Sequence, residues 1–266
     1  MRKITPDDLR DMKARGERIA AVTAYDYSMA QLFDAAGADI ILVGDSLGMV
    51  LYGMPDTLAV TMEMMIAHTA AVVRGVKHAM VVADMPFMSY QINEDEAVRN
   101  AGEMMRRTGC AAVKFEGYYP NLIKRLTDIG IPVVGHLGYT PQSARKYGYH
   151  IIRGKSDTER NAIKEAAVDL DHAGACFLVA ESVPESLGKE LSEALTMPVV
   201  GIGAGRYCDG EIQVCYDILG IYQEFLPKHA KIFRNAGRVM KSGMKAYVRA
   251  VKDKSFPTED NVTKSR

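Results

Sequence analysis

The eleven residues RTGCAAVKFEG, numbers 107–117, contain one full unit of the pattern that decides the fold. A glycine among small residues is typical of a helix end, and the apolar run after it has the length of a buried strand. The same order recurs, with glycine turns in AAGADI (35–40), DIGIPVV (128–134) and HAGACFLV (172–179). This repetition predicts helices that alternate with buried parallel strands.

Eight segments have the length and apolar character of such strands, with helical patterns between them. We predict strands at residues 19–23, 39–43, 79–83, 111–115, 132–135, 176–180, 198–202 and 214–219. An open doubly wound sheet and a closed (β/α)8 TIM barrel both produce this order. Eight units without an obvious second domain favour the barrel.

The barrel is predicted to fill residues 1–250 as one domain. A short helix opens the chain, because Thr5 can cap its free amides and Pro6 suits its first turn. Residues 251–266 mix charged and polar residues without apolar periodicity, which predicts a flexible C-terminal tail.

Composition limits the function classes. Apolar residues make up 48% and charged residues 25% of the chain, which excludes a disordered protein. Thirty-three basic and 33 acidic residues balance, which argues against nucleic-acid binding and favours small-molecule ligands. No apolar run approaches the roughly 20 residues that cross a bilayer, and the start lacks a signal-peptide pattern. We therefore expect a cytoplasmic protein without a membrane partner.

Carboxylates stand where the predicted strands end, which is where the active sites of α/β barrels lie. Asp45, Asp84 and Glu116 follow three successive strands, and neighbouring strands are only about 4.8 Å apart. Three such acids repel each other, so they take up a proton or hold a cation. Oxygen ligands favour Mg²⁺, although Mn²⁺ and Co²⁺ accept them too. The alternative is that each acid caps a helix or pairs with a lysine.

Further candidate site residues stand at the ends of the fifth, sixth and seventh strands and at one more position of the fourth strand. Glu181 lies across the predicted mouth, in the position of a general base or of a helix-capping acid. Lys114 shares a strand face with Glu116, where it could form an ion pair, bind an anionic substrate or form a Schiff base. His136 is a candidate pocket-wall residue, with metal ligation as the alternative. The glycines of GIGAG (201–205) fit either a phosphate loop or a tight turn.

Six segments resemble one known family, and they occur in the same order over nearly the whole chain. They are TAYDYSMA (23–30), VGDSLGMV (43–50), ADMPFMSY (83–90), VKFEG (113–117), GHLGYTPQS (135–143) and GIGAG with CDG (201–210). Together they resemble ketopantoate hydroxymethyltransferase. The resemblance implies a barrel of the phosphoenolpyruvate/pyruvate type. It also implies hydroxymethyl transfer from 5,10-methylenetetrahydrofolate to 3-methyl-2-oxobutanoate, which gives 2-dehydropantoate for pantothenate biosynthesis.

The resemblance also implies roles for single residues. Asp45, Asp84 and Glu116 correspond to the ligands of one Mg²⁺ per subunit. Glu181 corresponds to the proton acceptor of a reaction that passes through a Mg-stabilised enolate. The positions that correspond to the keto acid site are Asp45, Ser46, Asp84 and Lys114. The family further implies a homo-oligomer, a decamer built from five dimers.

The residues alone leave two other functions open. One is a Mg²⁺-dependent carbon–carbon lyase for a 2-oxo or 2-hydroxy acid on the same scaffold. The other is a keto acid binding protein without activity. Folate dependence separates the transferase from the lyase, and exchange of the C3 proton separates an enzyme from a silent binder.

Overall fold

Eight parallel strands pair side by side and close into a barrel in which β8 returns to β1. The computed structural model describes residues 2–149 and 151–263. The chain falls into two compact units, Met1–Val214 and Cys215–Arg266, and the whole barrel belongs to the first. Its strands are β1 (Ile19–Thr23), β2 (Ile40–Val43), β3 (Met80–Asp84), β4 (Ala112–Glu116), β5 (Val133–Gly138), β6 (Phe177–Glu181), β7 (Val199–Ile202) and β8 (Gly210–Gln213). The predicted fold class is confirmed, whereas the single domain over residues 1–250 stays a prediction.

Nine α-helices lie in the described part of the first unit. They are α1 (Pro6–Ala14), α2 (Tyr27–Ala35), α3 (Leu47–Val50), α4 (Met62–Gly75), α5 (Glu94–Thr108), α6 (Pro120–Asp128), α7 (Ala144–Tyr147), α8 (Asp157–His172) and α9 (Glu185–Ala194). Of these, α1, α2, α4, α5 and α8 begin at a residue whose side chain caps the helix. Thr5 accepts a hydrogen bond from the amide of Asp8 and so confirms the predicted first helix. Helix α5 ends at Gly109, which adopts the left-handed conformation with a φ of 73°.

The prediction for the eighth strand was wrong. The segment predicted at 214–219 contains a short helix, α10 (Cys215–Ile218), and β8 lies just before it. In β8, buried positions alternate with half-buried ones, and the half-buried positions are taken by Glu211 and Gln213. The strand therefore lacks the continuous apolar run on which the prediction was based. Gly210 lets this strand pair with β1, because a Cβ atom there would lie 2.5 Å from the carbonyl oxygen of Ile19.

Helix α1 closes the amino end of the barrel. Its Leu9 and Met12 side chains are buried in one cluster with the inward-facing residues near the starts of the strands. The Lys13 ammonium donates hydrogen bonds to the carbonyl oxygens of Ser192 and Met197, at 2.7 and 3.0 Å. It also lies 3.0 Å from Asp209 Oδ2. Access to the interior is therefore left at the carboxyl end.

The second unit contains α10, α11 (Ala236–Lys252) and a 3-10 turn (Glu259–Asn261). None of the residues of α11 is buried. One face of this helix carries large apolar side chains that are 41–62% exposed, namely Met240, Met244, Tyr247, Val248 and Val251. Residues 264–266 of the predicted tail lie outside the described residues, and its flexibility stays a prediction.

The four cysteines are buried free thiols in the described part of the chain. No helix within that part combines the length and the apolar character needed to cross a bilayer. The cytoplasmic location inferred from the sequence stays a prediction.

Candidate active site

The alternation of side chains along the strands aims the predicted site residues into the barrel. Met80 and Val82 lie in the interior cluster, and the next inward position on β3 is Asp84. On β4 the same rule continues from Ala112 to Lys114 and Glu116. His136 and Glu181 occupy the corresponding positions near the ends of β5 and β6, and Asp45 follows β2 by two residues. We call Asp45, Asp84, Glu116 and Glu181 the acid cluster.

Lys114 is the counter-ion at the centre of this site. Its Nζ lies 2.6 Å from Asp84 Oδ1, and both side chains are at least 95% buried. Asp84 Oδ2 accepts a hydrogen bond from the backbone amide of Asp45, at 3.1 Å. These contacts fix the first two acids of the cluster beside one ammonium group.

His136 separates the other two acids. Its Nδ1 lies 3.6 Å from Glu116 Oε1, and its Nε2 lies 3.1 Å from Glu181 Oε2. The Glu181 side chain is 17% exposed, whereas the Glu116 side chain is only 3% exposed. Glu181 is therefore the carboxylate of the cluster that keeps contact with the open end of the barrel.

Burial and mutual repulsion set the charges of these acids. Burial, with Asp84 and Glu116 nearby, raises the pKa of Asp45 well above its usual range. Burial also raises the pKa of Asp84, although Lys114 opposes this. For Glu116 the contacts with His136 and Lys114 outweigh burial and lower the pKa. The carboxylates in turn raise the pKa of Lys114 despite its burial, so the lysine is an ammonium group.

His136 responds to both signs of charge. Burial and Lys114 lower its pKa, but Glu116 and Glu181 outweigh them and raise it to about 9. Lys114 Nζ lies 3.1 Å from Nδ1, and this contact is a hydrogen bond only in the neutral form that carries its proton on Nε2. The excess of carboxylates thus favours the imidazolium, whereas added positive charge would favour the neutral ring.

The donor set fits a hard divalent cation. With the acid cluster ionised, Lys114 and a protonated His136 leave two negative charges unbalanced. Asp84 Oδ1 is buried without a well-aligned hydrogen bond. The described residues contain no preformed group of three His, Cys, Asp or Glu side chains around one point. Mg²⁺ does not require one, because it is usually held by one or two carboxylates together with substrate oxygens and water.

Ser46 lies beside the same acids. Its Oγ is 2.9 Å from the hydroxyl of Tyr25, which accepts a hydrogen bond from Thr23 Oγ1 at 2.9 Å. Tyr25 is 1% exposed, so this chain of hydroxyl groups orients Ser46 from inside the barrel. Tyr25 belongs to the segment TAYDYSMA, and no role was predicted for it.

The backbone of Glu181 is held by the end of the neighbouring strand. Its carbonyl oxygen accepts a hydrogen bond from the amide of Tyr139, at 2.8 Å. A Cβ atom at Gly138, where φ is 95°, would lie 2.2 Å from that same oxygen. Ser182, the next residue after Glu181, has a φ of 47°. Gly138, the second glycine of the GHLG motif, therefore allows the end of β5 to lie close to the backbone of Glu181 and so fixes its position.

Gly138→Ala is expected to destabilise the protein and displace Glu181. A left-handed alanine costs about 1–2 kcal/mol by itself, and overlap with a backbone oxygen adds to it. Gly130→Ala is the matched control, since Gly130 has a φ of 88° and open space around its Cβ position. Urea unfolding and turnover should show a larger loss for Gly138→Ala. Equal losses of stability and turnover in the two variants would contradict a steric role for Gly138 beside the Glu181 carbonyl.

The glycines at 201–205 fit the tight-turn alternative. Gly201 lies within β7, and a Cβ atom there would lie 3.0 Å from Cys208 Sγ. At Gly205, with φ of 85°, it would lie 2.3 Å from Glu185 Cγ. Both positions thus have a packing reason for glycine.

Two residues that contact the acid cluster were missed. Gln142 donates to Asp45 Oδ2, and Tyr90 Oη accepts a hydrogen bond from the amide of Glu116. Both lie in segments that carry the family resemblance, GHLGYTPQS and ADMPFMSY. For Gln142 the available signal was a polar residue beside a proline in the turn after an apolar strand, but such residues are common in ordinary turns. Tyr90 lies four residues after Pro86 and had no such signal.

Comparison with solved structures supports the fold. Phosphonopyruvate hydrolase matches with a TM-score of 0.63 and 14% sequence identity, over 100% of this chain and 92% of its own. 2,3-Dimethylmalate lyase, a member of the PEP mutase/isocitrate lyase superfamily, matches with a TM-score of 0.56 and 15% identity, over 98% and 92% of the two chains. At this identity the likeness shows the barrel and not the activity.

Comparison with sequences is more specific. The 3-methyl-2-oxobutanoate hydroxymethyltransferase of Syntrophus aciditrophicus (strain SB) is 48% identical over 262 residues, which are 98% of this chain and 96% of that protein. The enzyme of that name from Chlorobium phaeobacteroides is 48% identical over 263 residues, or 97% and 95% of the two chains. The family model of ketopantoate hydroxymethyltransferase matches residues 3–259. The chain therefore belongs to the ketopantoate hydroxymethyltransferase family, whose members transfer a hydroxymethyl group to 3-methyl-2-oxobutanoate.

Proposed function

We propose that this enzyme takes the hydroxymethyl group from 5,10-methylenetetrahydrofolate and uses Mg²⁺, with Glu181 as the base that removes the C3 proton. The observation that carries the proposal is the division of the acid cluster. Asp45, Asp84 and Glu116 are buried around Lys114, whereas Glu181 lies beyond His136 and is partly exposed. One part of the site can hold a cation and the other can move a proton.

Asp45, Asp84 and Glu116 would hold the metal, directly or through water. Bound Mg²⁺ supplies Lewis-acid stabilisation of the negative charge that develops on the substrate's keto oxygen. The negative charge of the donor set supports a divalent cation at this position. A phosphonopyruvate hydrolase of the same fold has a structure in complex with oxalate and Mg++, which also supports it. The C3 proton of a 2-oxo acid is too weakly acidic to leave near neutral pH without such help.

The other residues bind and orient the keto acid. Asp45, Ser46, Asp84 and Lys114 form the proposed binding site, in which Lys114 attracts the substrate carboxylate and the Ser46 hydroxyl contacts its oxygens. Glu181 accepts the proton from C3, and the electron pair of that C–H bond forms the new bond to the methylene carbon of the folate as the bond from this carbon to one folate nitrogen breaks. Water then displaces the second folate nitrogen and leaves its hydroxyl on the same carbon, which gives 2-dehydropantoate. The two nitrogens of the departing tetrahydrofolate take up the proton from C3 and the remaining proton of water.

The test is an assay with 3-methyl-2-oxobutanoate, 5,10-methylenetetrahydrofolate and Mg²⁺, followed by mass spectrometry of the product. We expect hydroxymethylated product that disappears when a chelator is added and returns with excess Mg²⁺. Product that persists after chelation would overturn the role of the metal. Product formed equally well without the folate would overturn its role as the one-carbon donor.

We also propose that the protein forms a homo-oligomer, with a decamer of five dimers as the expected state. The exposed apolar face of α11 is the feature that a second copy of the chain would cover. Opposite charges favour this, since residues 215–266 contain 11 Lys or Arg and five Asp or Glu, whereas residues 1–214 contain 22 and 28. The net positive residues 215–266 of one copy would therefore be attracted to the net negative residues 1–214 of another.

Met244→Glu is expected to reduce the mass of the particle in solution, because it places a charge in the apolar face of α11. Ten copies of a 29.2 kDa chain would give a mass of about 290 kDa by light scattering. Ser242→Glu is the matched control, since it adds the same charge on the opposite face of the helix. Equal masses for both variants and the wild type would exclude α11 from the interface.

A further inference from the structure

Gln142 reaches into the acid cluster from the turn that follows β5. It lies in a 3-10 turn, Pro141–Ser143, and is 6% exposed. Its Nε2 donates hydrogen bonds to Asp45 Oδ2 at 2.9 Å and to the carbonyl oxygen of Met85 at 3.0 Å. Its backbone amide donates to Glu116 Oε2 at 2.9 Å. One residue thus holds two carboxylates that arrive from different strands.

The orientation of the Gln142 amide is fixed by its surroundings. The hydroxyl of Tyr90 donates to Oε1 at 2.7 Å, and Gln91 Nε2 donates to the same oxygen at 3.1 Å. On the other side, the carbonyl oxygen of Met85 can only accept, and so can the Asp45 carboxylate when it is ionised. A flipped amide would place oxygen against these acceptors and nitrogen against the donors. The amide therefore has one favourable orientation.

Tyr90 is itself held firmly. It is 3% exposed, and its ring makes edge contacts with Phe115 and Tyr119, at centroid distances of 4.9 and 5.4 Å. Its oxygen accepts a hydrogen bond from the amide of Glu116 at 3.2 Å. Its single proton faces two acceptors, Gln142 Oε1 at 2.7 Å and the carbonyl oxygen of Glu116 at 3.3 Å, and the contact with Gln142 is the shorter one. The orientation of the glutamine is thereby tied to the end of β4.

Each carboxylate is left with one oxygen that Gln142 does not use. In Asp45 this oxygen is Oδ1, and in Glu116 it is Oε1. When one oxygen of a carboxylate is hydrogen-bonded to a fixed donor, the carboxylate can rotate little, and its other oxygen stays within a narrow range of positions. Donors of this kind, one step removed from a metal, orient its ligands and tune its affinity.

We propose that Gln142, oriented by Tyr90, is a positioning residue that sets Asp45 and Glu116 to receive a divalent cation. The role rests on the proposed function, because it presupposes that these carboxylates hold Mg²⁺. The inference goes beyond the proposed function because it names the residues that orient the carboxylates before the metal binds. Gln142 acts through the two carboxylates and not on the reacting atoms.

The test measures Mg²⁺ binding by titration calorimetry on the full-length protein, without substrates or turnover. Gln142→Met keeps the length of the side chain and the backbone donor to Glu116 but removes the amide. We expect its Kd for Mg²⁺ to rise about 10- to 100-fold. Tyr90→Phe removes only the hydroxyl, and Gln91 still contacts the amide, so a smaller rise of about 3- to 10-fold is expected.

The double variant separates positioning from a general loss of structure. If Tyr90 acts through Gln142, the double variant will bind Mg²⁺ no more weakly than Gln142→Met alone. Gln31→Met is the matched control, because the side-chain amide of Gln31 is also hydrogen-bonded to a tyrosine hydroxyl, in this case as the donor to Tyr27 at 3.0 Å, on the exposed surface of α2. Its affinity for Mg²⁺ should equal that of the wild type.

The outcomes are distinguishable. Wild-type protein that does not bind Mg²⁺ would overturn the metal part of the proposed function and this inference with it. Wild-type affinity in a folded Gln142→Met variant would overturn only the positioning role. Additive losses in the double variant would overturn the link through Tyr90. If Gln142→Met does not fold, Tyr90→Phe still decides, since unchanged affinity there contradicts the proposal.

Discussion

Glu181→Gln is expected to lower kcat by about 10²- to 10⁴-fold, the usual contribution of a general base, with little change in keto acid binding. The amide keeps the size of the side chain and can still contact His136, but it cannot accept the C3 proton. The direct measurement is loss of the C3 proton signal of 3-methyl-2-oxobutanoate in D₂O by NMR, with Mg²⁺ and without folate. Exchange should be fast in the wild type and nearly absent in the variant.

Glu185→Gln is the control for this experiment. Glu185 lies four residues further along the chain and pairs with Arg206 at the surface, so its loss should leave exchange unchanged. C3 exchange that continues at the wild-type rate in Glu181→Gln would remove Glu181 from the role of base. Weak keto acid binding in that variant would instead indicate a role in substrate affinity.

Lys114→Met is expected to lower the free energy of unfolding by about 3–5 kcal/mol when metal is removed by a chelator, because it leaves buried carboxylates without their counter-ion. Burial already raises the pKa of Asp84, and Lys114 is what opposes that rise. Without the lysine, the folded-state pKa of Asp84 moves further above its unfolded value. The deficit should therefore grow as the pH rises and shrink as the pH falls and the carboxylates take up protons.

Lys124→Met provides the comparison. Lys124 forms an ion pair with Asp128 at 3.0 Å, but both side chains are more than 60% exposed. Loss of such a pair costs about 0.5 kcal/mol or less, without a strong dependence on pH. Urea unfolding of both variants at several pH values tests the difference. A Lys114→Met variant as stable as Lys124→Met at all these values would contradict the role of Lys114 as counter-ion. Borohydride trapping of the keto acid on Lys114 would point to a Schiff base in its place.

The part of the site that the sequence predicted follows from two periodic rules. The glycine turns located the strands, and alternation along each strand placed Lys114 and Glu116 on the same inward face. Because parallel strands end at one edge, Asp84 and Glu181 could be assigned to the same mouth before any contact was known. These rules need only local sequence, which explains why the bounds of seven strands required little correction. The roles assigned to the acid cluster stay predictions.

The missed parts depend on contacts between distant segments. Gln142 reaches Asp45 across 97 positions of the chain, and nothing near either residue specifies that contact. The eighth strand is short and half-polar, and its pairing with β1 depends on the small size of Gly210. Local hydrophobicity favoured the neighbouring segment, where α10 forms instead. A rule based on apolar runs therefore fails where a strand is specified by its partners.

The closure of the amino end by α1 has a kinetic consequence. With Leu9 and Met12 packed among the barrel's inward-facing side chains, both substrates and both products must pass through a single opening. If the donor is the proposed 5,10-methylenetetrahydrofolate, it is the larger of the two substrates, and a keto acid held between Lys114 and Glu181 would lie deeper in the opening. We then expect the keto acid to bind before the folate and the product to leave after it. The closed amino end would in this way give turnover an order.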